Sequence, residues 1–145
     1  MRTAIVSRAI DPAALLREVE SHGSGASILF VGTVRDVNDG RPVEGLEYKA
    51  YDAMAARELA AIAAEAAARF GTERIVVEHR TGRLALGETS VAIAVSHAHR
   101  GAAYEASRCI IEELKRRLPV WKREEYADGT REWVDPARAR AEAGR

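Results

Sequence analysis

Five side chains able to handle an anion fall at the ends of elements that the sequence predicts. Arg35 follows one strand, His99 and Arg100 follow another, Lys115 lies near the end of a helix, and Lys122 lies just beyond it. Ser96-His97-Ala98-His99-Arg100-Gly101 forms a basic hinge after the apolar run Val91-Ala92-Ile93-Ala94-Val95. Leu114-Lys115-Arg116-Arg117-Leu118-Pro119-Val120-Trp121-Lys122-Arg123-Glu124 forms a second basic segment. A helix starting near Gly101 would offer unpaired N–H groups and a partial positive charge, which suit a phosphate or carboxylate, and an adjacent arginine adds a fork of donors. Taken singly, each lysine or arginine reads as a solvated charge. As a set they are costly to crowd without an anionic ligand, and crowding lowers a lysine's pKa toward values useful for proton transfer or attack.

Other chemistries fall away. The sequence has no Walker-type phosphate loop, no Rossmann glycine pattern and no Gly-x-Ser-x-Gly elbow. His97 and His99, two apart at a strand end, could share a metal, but no further ligand sits at a recognised spacing, so no metal site is expected. Cys109 lies inside an apolar helix and reads as a small core residue rather than a nucleophile. His22 and His79 have no partner in the pattern and read as structural histidines.

The elements that must hold these residues fit one domain. The chain has 145 residues, 47% of them hydrophobic, enough for a substantial core. Its 22 basic and 22 acidic side chains cancel, so a general affinity for nucleic acid is not indicated and any basic site must be local. One cysteine excludes an intrachain disulfide framework. No apolar stretch approaches the roughly 20 residues needed to span a bilayer, and the N-terminus lacks a signal-peptide core, so a cytoplasmic protein is expected.

Thr3–Val6 reads as a strand, and Asp11-Pro12 as the cap and first turn of a helix through about Val19. A second strand runs from Ile28 to Arg35, followed by an Asp-Gly turn signal before Pro42. Leu46–Tyr51 alternates as a half-exposed strand, and Asp52 is expected to cap an alanine-rich helix that Gly71 stops. Ile75–His79 is a strand, residues 80–88 a tight excursion, and 91–95 a strand apolar on both faces and therefore buried. The next helix turns Ala103, Ser107, Ile110, Ile111, Leu114 and Leu118 inward, which puts Lys115 at the border of the apolar stripe. Pro119 ends it, Val120–Lys122 is extended, and Asp128-Gly129 centres a hairpin. The tail after about 135 is expected as a loose helix or a flexible end.

Several segments resemble, in this order, the large catalytic subunit of molybdopterin synthase, the MoaE family: Phe30–Arg35, Leu46-Glu47-Tyr48 with Tyr51, His79-Arg80-Thr81-Gly82, Ser96–Arg100, and Pro119–Glu124. The resemblance runs from about residue 3 to Val134. It implies an α+β protein of the α/β hammerhead type, with a mixed or antiparallel sheet, packed helices and a small β subdomain. It implies a sulfurtransferase without a bound cofactor, homodimeric, that becomes a heterotetramer with a small ubiquitin-like (MoaD-like) sulfur carrier. That carrier would insert a C-terminal Gly-Gly thiocarboxylate, and two sulfur transfers would convert cyclic pyranopterin monophosphate into the dithiolene of molybdopterin. Lys115 and Lys122 take the positions of the family's active-site lysines; Arg35, His99 and Arg100 take those of its anion-binding and supporting residues.

The two lines of reasoning fit each other. Sulfur that arrives activated on a partner's C-terminus requires no cysteine, only positive charge and proton transfer. Two rival readings stand beside it: a non-catalytic scaffold whose basic pocket captures a carboxylate tail, and a cofactor-independent enzyme acting on another phosphorylated metabolite. The expectation common to all three is that Arg35, His99, Arg100, Lys115 and Lys122 converge on one electropositive cleft.

Overall fold

The computed structural model describes residues 1–134; the tail lies outside the described residues. In chain order the elements are β1 (Arg2–Val6), α1 (Pro12–Val19), β2 (Ala26–Thr33), β3 (Val37–Asn38), β4 (Arg41–Ala50) and α2 (Asp52–Phe70). They continue with β5 (Ile75–Arg80), β6 (Gly82–Ala85), β7 (Thr89–His97), α3 (Arg100–Arg117), β8 (Val120–Tyr126) and β9 (Arg131–Val134). The first sheet has the order β1-β5-β7-β2, with β1 parallel to β5 and the other pairs antiparallel. The second runs β3-β4-β8-β9, and β6 also pairs with β4. A mixed sheet with packed helices and a separate antiparallel β unit is the α+β hammerhead arrangement the sequence leads one to expect.

The run at 91–95 is apolar on both faces because both are covered. Val91, Ile93 and Val95 of β7 join Ile75 and Val77 of β5 against Leu59, Ile62 and Ala66 of α2 and Ile110 and Leu114 of α3. Ala92 and Ala94 face the other way, with Val76, onto Leu15 and Val19 of α1. A sheet clothed on both sides loses the polar-apolar alternation that marks a half-exposed strand.

Local details depart from expectation in three places. β2 starts at Ala26 and ends at Thr33, so Val34 and Arg35 lie beyond it, with Val34 tied by its own N–H and carbonyl to Glu88 and Gly87. Asp52 does not cap α2. Tyr51 occupies the cap position without a side-chain bond, and Asp52 stands in the first turn, where its charge favours the helix dipole. The excursion at 80–88 contains a strand, β6, which reaches across to β4 and links the two sheets.

Glu78 fastens the N-terminal edge. It is 1% exposed, on the α1 side of β5, and accepts hydrogen bonds from Arg2 at 2.8 Å and Arg8 at 3.0 Å. Burial alone would raise its pKa; the hydrogen bonds and charges of the two arginines outweigh it, and the carboxyl is held below its ordinary range. A depressed carboxylate pKa contributes stability above the unfolded-state value of about 4.3 and loses it as pH falls through the folded value. Glu78→Gln should therefore lower stability at pH 7 by about 2 kcal/mol, less than for a fully buried pair because both arginines keep contact with water. Urea melts of the two proteins at pH 7 and pH 3 should show that gap shrinking at the lower pH; a gap that stays constant would disprove the charged contribution.

Candidate active site

Where the two sheets meet the C-terminal end of α3, a cavity of about 250 Å³ opens, lined by residues that include Arg35, Tyr48, Ser90, Lys115, Lys122 and Glu124. Three elements bring them together. In the β4–β8 ladder Tyr48 stands opposite Lys122 and Leu46 opposite Glu124. Directly opposed residues share a face, so alternation sends these four inward and Glu47, Lys49, Trp121 and Arg123 outward. Lys115 arrives from the last turn of α3, one residue past the buried Leu114. Arg35 arrives just beyond β2, where Gly32 makes room: a Cβ there would lie 2.7 Å from Val91 Cγ1.

The polar contacts differ from one cation to the next. Lys122 Nζ sits 3.2 Å from Glu124 Oε1, and the other oxygen of this 4% exposed carboxylate accepts from Asn38 Nδ2 at 2.7 Å. Tyr48 is 9% exposed and lines the cavity together with Ser90. Ser90 Oγ donates to the Gly32 carbonyl at 3.2 Å. Burial pushes the Tyr48 pKa up, and the phenol stays neutral. The cavity thus presents three cations, one carboxylate and the neutral hydroxyls of Thr33, Tyr48 and Ser90.

The five expected cations do not converge within one chain. Arg35, Lys115 and Lys122 line the cavity; His99 and Arg100 do not. They stand at the N-terminus of α3, and fifteen residues at 1.5 Å each place Arg100 about 22 Å along the helix from Lys115. A helix that starts with one pair and ends with the other must hold them apart, which sequence order alone conceals. His97 builds that hinge rather than a ligand site. Its Nε2 lies 2.9 Å from the Phe70 carbonyl, to which it donates, and its Nδ1 accepts the His99 N–H at 2.9 Å, so both ring nitrogens are used. Gly25 lies under the hinge, where a Cβ would meet the Ala98 carbonyl at 2.4 Å.

Cys109 stands apart from the cavity. It is partly buried on α3 and lines a separate depression with Arg69, Phe70, Arg108 and three glutamates. Several cavity residues went unassigned in the sequence: Tyr48, Ser90, Asn38 and Glu124. Alternation of β4 and β8 could have put Tyr48 and Glu124 on the Lys122 face. Nothing local marks Ser90 or Asn38.

The chain is similar to proteins of known description. Residues 5–117 match the family model described as MoaE protein. The molybdopterin synthase catalytic subunit of Emericella nidulans is 44% identical over 124 residues, which cover 86% of this chain and 64% of that protein. The subunit of the same description from Oryza sativa subsp. indica is 44% identical over 131 residues, 87% of this chain and 68% of the relative. The chain therefore spans a little under two thirds of the fungal protein's length. The crystal structure of molybdopterin synthase from Staphylococcus aureus superposes with a TM-score of 0.85 at 34% identity, covering 91% of this chain and 96% of that one. With the matched segment running from β1 to the end of α3, and with the S. aureus fold reproduced over nearly its whole length, this chain belongs to the MoaE protein family.

Proposed function

We propose that this protein is the catalytic subunit of a molybdopterin synthase, a sulfurtransferase of molybdenum cofactor biosynthesis. It takes sulfur from the C-terminal thiocarboxylate of a small ubiquitin-like carrier and places it on cyclic pyranopterin monophosphate, building the dithiolene. The observation that carries this reading is the cavity itself: Arg35, Lys115 and Lys122 around one opening, with the chain's cysteine elsewhere. An enzyme that received sulfur as persulfide would need a thiol at that opening. An enzyme that receives it as a thiocarboxylate needs cations to hold the carrier's terminus and the substrate phosphate, and a group to move protons as the cyclic phosphate opens.

In this reading Arg35 holds the phosphate or the carrier's terminal group, using its fork of donors. Lys122, steadied by Glu124 at 3.2 Å, offers a cation at a fixed place. Lys115 reaches the same space from the helix. His99 and Arg100, about 22 Å away along α3, serve the same substrate only as the contribution of a second copy, which fits a homodimer flanked by two carriers.

Lys122→Ala should reduce dithiolene formation from thiocarboxylated carrier and precursor at least about 100-fold while the protein still melts within a few degrees of the parent. Near-normal turnover would remove Lys122 from the mechanism, and carrier binding without turnover in the parent protein would favour a scaffold. The origin of His99 is tested by mixing. A His99→Ala chain and a Lys122→Ala chain, each inactive alone, should regain about a quarter of parental activity after subunit exchange, since half the dimers are mixed and each holds one complete site. No recovery would put His99 outside the partner's site.

A further inference from the structure

His79 is a buried ionisable group to which the mechanism above gives no task. It is 2% exposed. Alternation along β5 turns it, with Ile75 and Val77, toward α2 and α3, and its partner across the ladder is Val91, which lines the cavity. Its ring meets the Tyr48 ring edge to face, 5.0 Å between centroids at 89°. The imidazole therefore forms part of the wall directly behind the cavity, against a residue that faces into it.

Its hydrogen bonding fixes what it can offer. Nδ1 lies 3.0 Å from the Arg80 carbonyl oxygen, which can only accept, so Nδ1 carries the hydrogen and Nε2 keeps a lone pair. Burial, and after it the nearby charge of Lys115, push the pKa down to about 4, against the smaller opposing effect of the Arg80 bond. At neutral pH the ring is uncharged.

We propose that His79 is a positioning residue for Lys115, whose amine it holds in the cavity through the lone pair on Nε2. The inference rests on Lys115 being an active-site lysine, and it gives the two lysines different tasks. Lys122 faces a buried carboxylate, whereas Lys115 is held by an uncharged acceptor beside a neutral phenol. An ammonium held by a neutral acceptor yields its proton more readily than one held by a carboxylate. Lys115 is thus the proton-transferring lysine, and Lys122 the standing cation. The charged and titratable groups facing this pair are Tyr48 from β4, Lys122 and Glu124 from β8, and Arg35 beyond β2, while the Arg80 guanidinium, on the opposite face of β5, pairs with Glu88.

The test reads Lys115 directly and does not depend on turnover. Trace acetylation with acetic anhydride across a pH series, followed by digestion and mass spectrometry, gives the titration midpoint of Lys115 in the intact protein. His79→Asn keeps a donor for the Arg80 carbonyl and loses the Nε2 acceptor; His79→Gln can place an amide oxygen where Nε2 was. The Asn variant should lower the Lys115 midpoint by about half a pH unit, a roughly threefold larger free-amine fraction below it, and the Gln variant should restore the parental value. An unchanged midpoint in a folded Asn variant, or equal displacement in both, overturns the proposal. Should the Asn variant fail to fold, the parent decides. Nitrogen-15 NMR should find His79 as the Nδ1–H tautomer at neutral pH, and the Nε2–H tautomer would leave no lone pair for Lys115. If Lys115 answers to His79 while dithiolene formation is absent, the positioning stands and the reading of the reaction falls.

Discussion

The site depends on the register of β4 against β8. Because side chains alternate with a period of two, Tyr48 and Leu46 face the cavity only while Lys122 and Glu124 stand across from them. A slip of one residue would carry the lysine and its carboxylate to the outer face and bring Trp121 and Arg123 inward. Several contacts hold the register against that slip. On the outer face Arg123 reaches Glu47 at 3.4 Å, its cross-strand neighbour, and Arg83 of β6 reaches Glu125 at 2.7 Å. At the near end Pro119 stops α3 and leads directly into the strand, so the last helical turn and the first ladder residues are fixed together.

A chain with no net charge still makes a basic cavity because, among the described residues, many of the cations elsewhere are paired with carboxylates. Arg117 lies among Glu58, Glu65 and Glu113, joining α2 to α3. Arg2 and Arg8 share Glu78, and Arg80 meets Glu88 at 2.7 Å. Around the cavity the balance differs, with three cations to one carboxylate, and the polar groups beside them are neutral. An imbalance of this kind in a recess with apolar walls is felt over a short range and by one ligand at a time, whereas an overall basic chain would attract polyanions indiscriminately.

Much of this was legible in the sequence. Element types followed from periodicity, and the double-sided burial of β7 from a run with no polar face. Lys115 was readable at the edge of the α3 stripe, and Lys122 just after the proline. The failures share a physical cause. Sequence distance says nothing about which end of a rigid helix faces which cavity, so His99 and Arg100 were grouped with Lys115 although α3 separates them. Asp52 looked like a cap because aspartate usually is one, yet the helix begins a residue earlier and leaves it in the first turn. His79 was passed over because its neighbours in space, Tyr48 and Lys115, lie more than thirty residues away along the chain.

β1 pairs in parallel with β5, setting Arg2 beside Val76 and Val6 beside Arg80, so the first strand waits for the chain to reach residue 80 before it has a neighbour. Pairing at that sequence distance must meet the entropy of closing a long loop before any ladder bond compensates it, and topologies rich in such contacts fold more slowly than helical ones of equal length. During synthesis the N-terminal segment therefore emerges long before its place exists. The Arg2–Glu78 contact joins these two strands and needs both of them in place, so it latches the edge of the sheet.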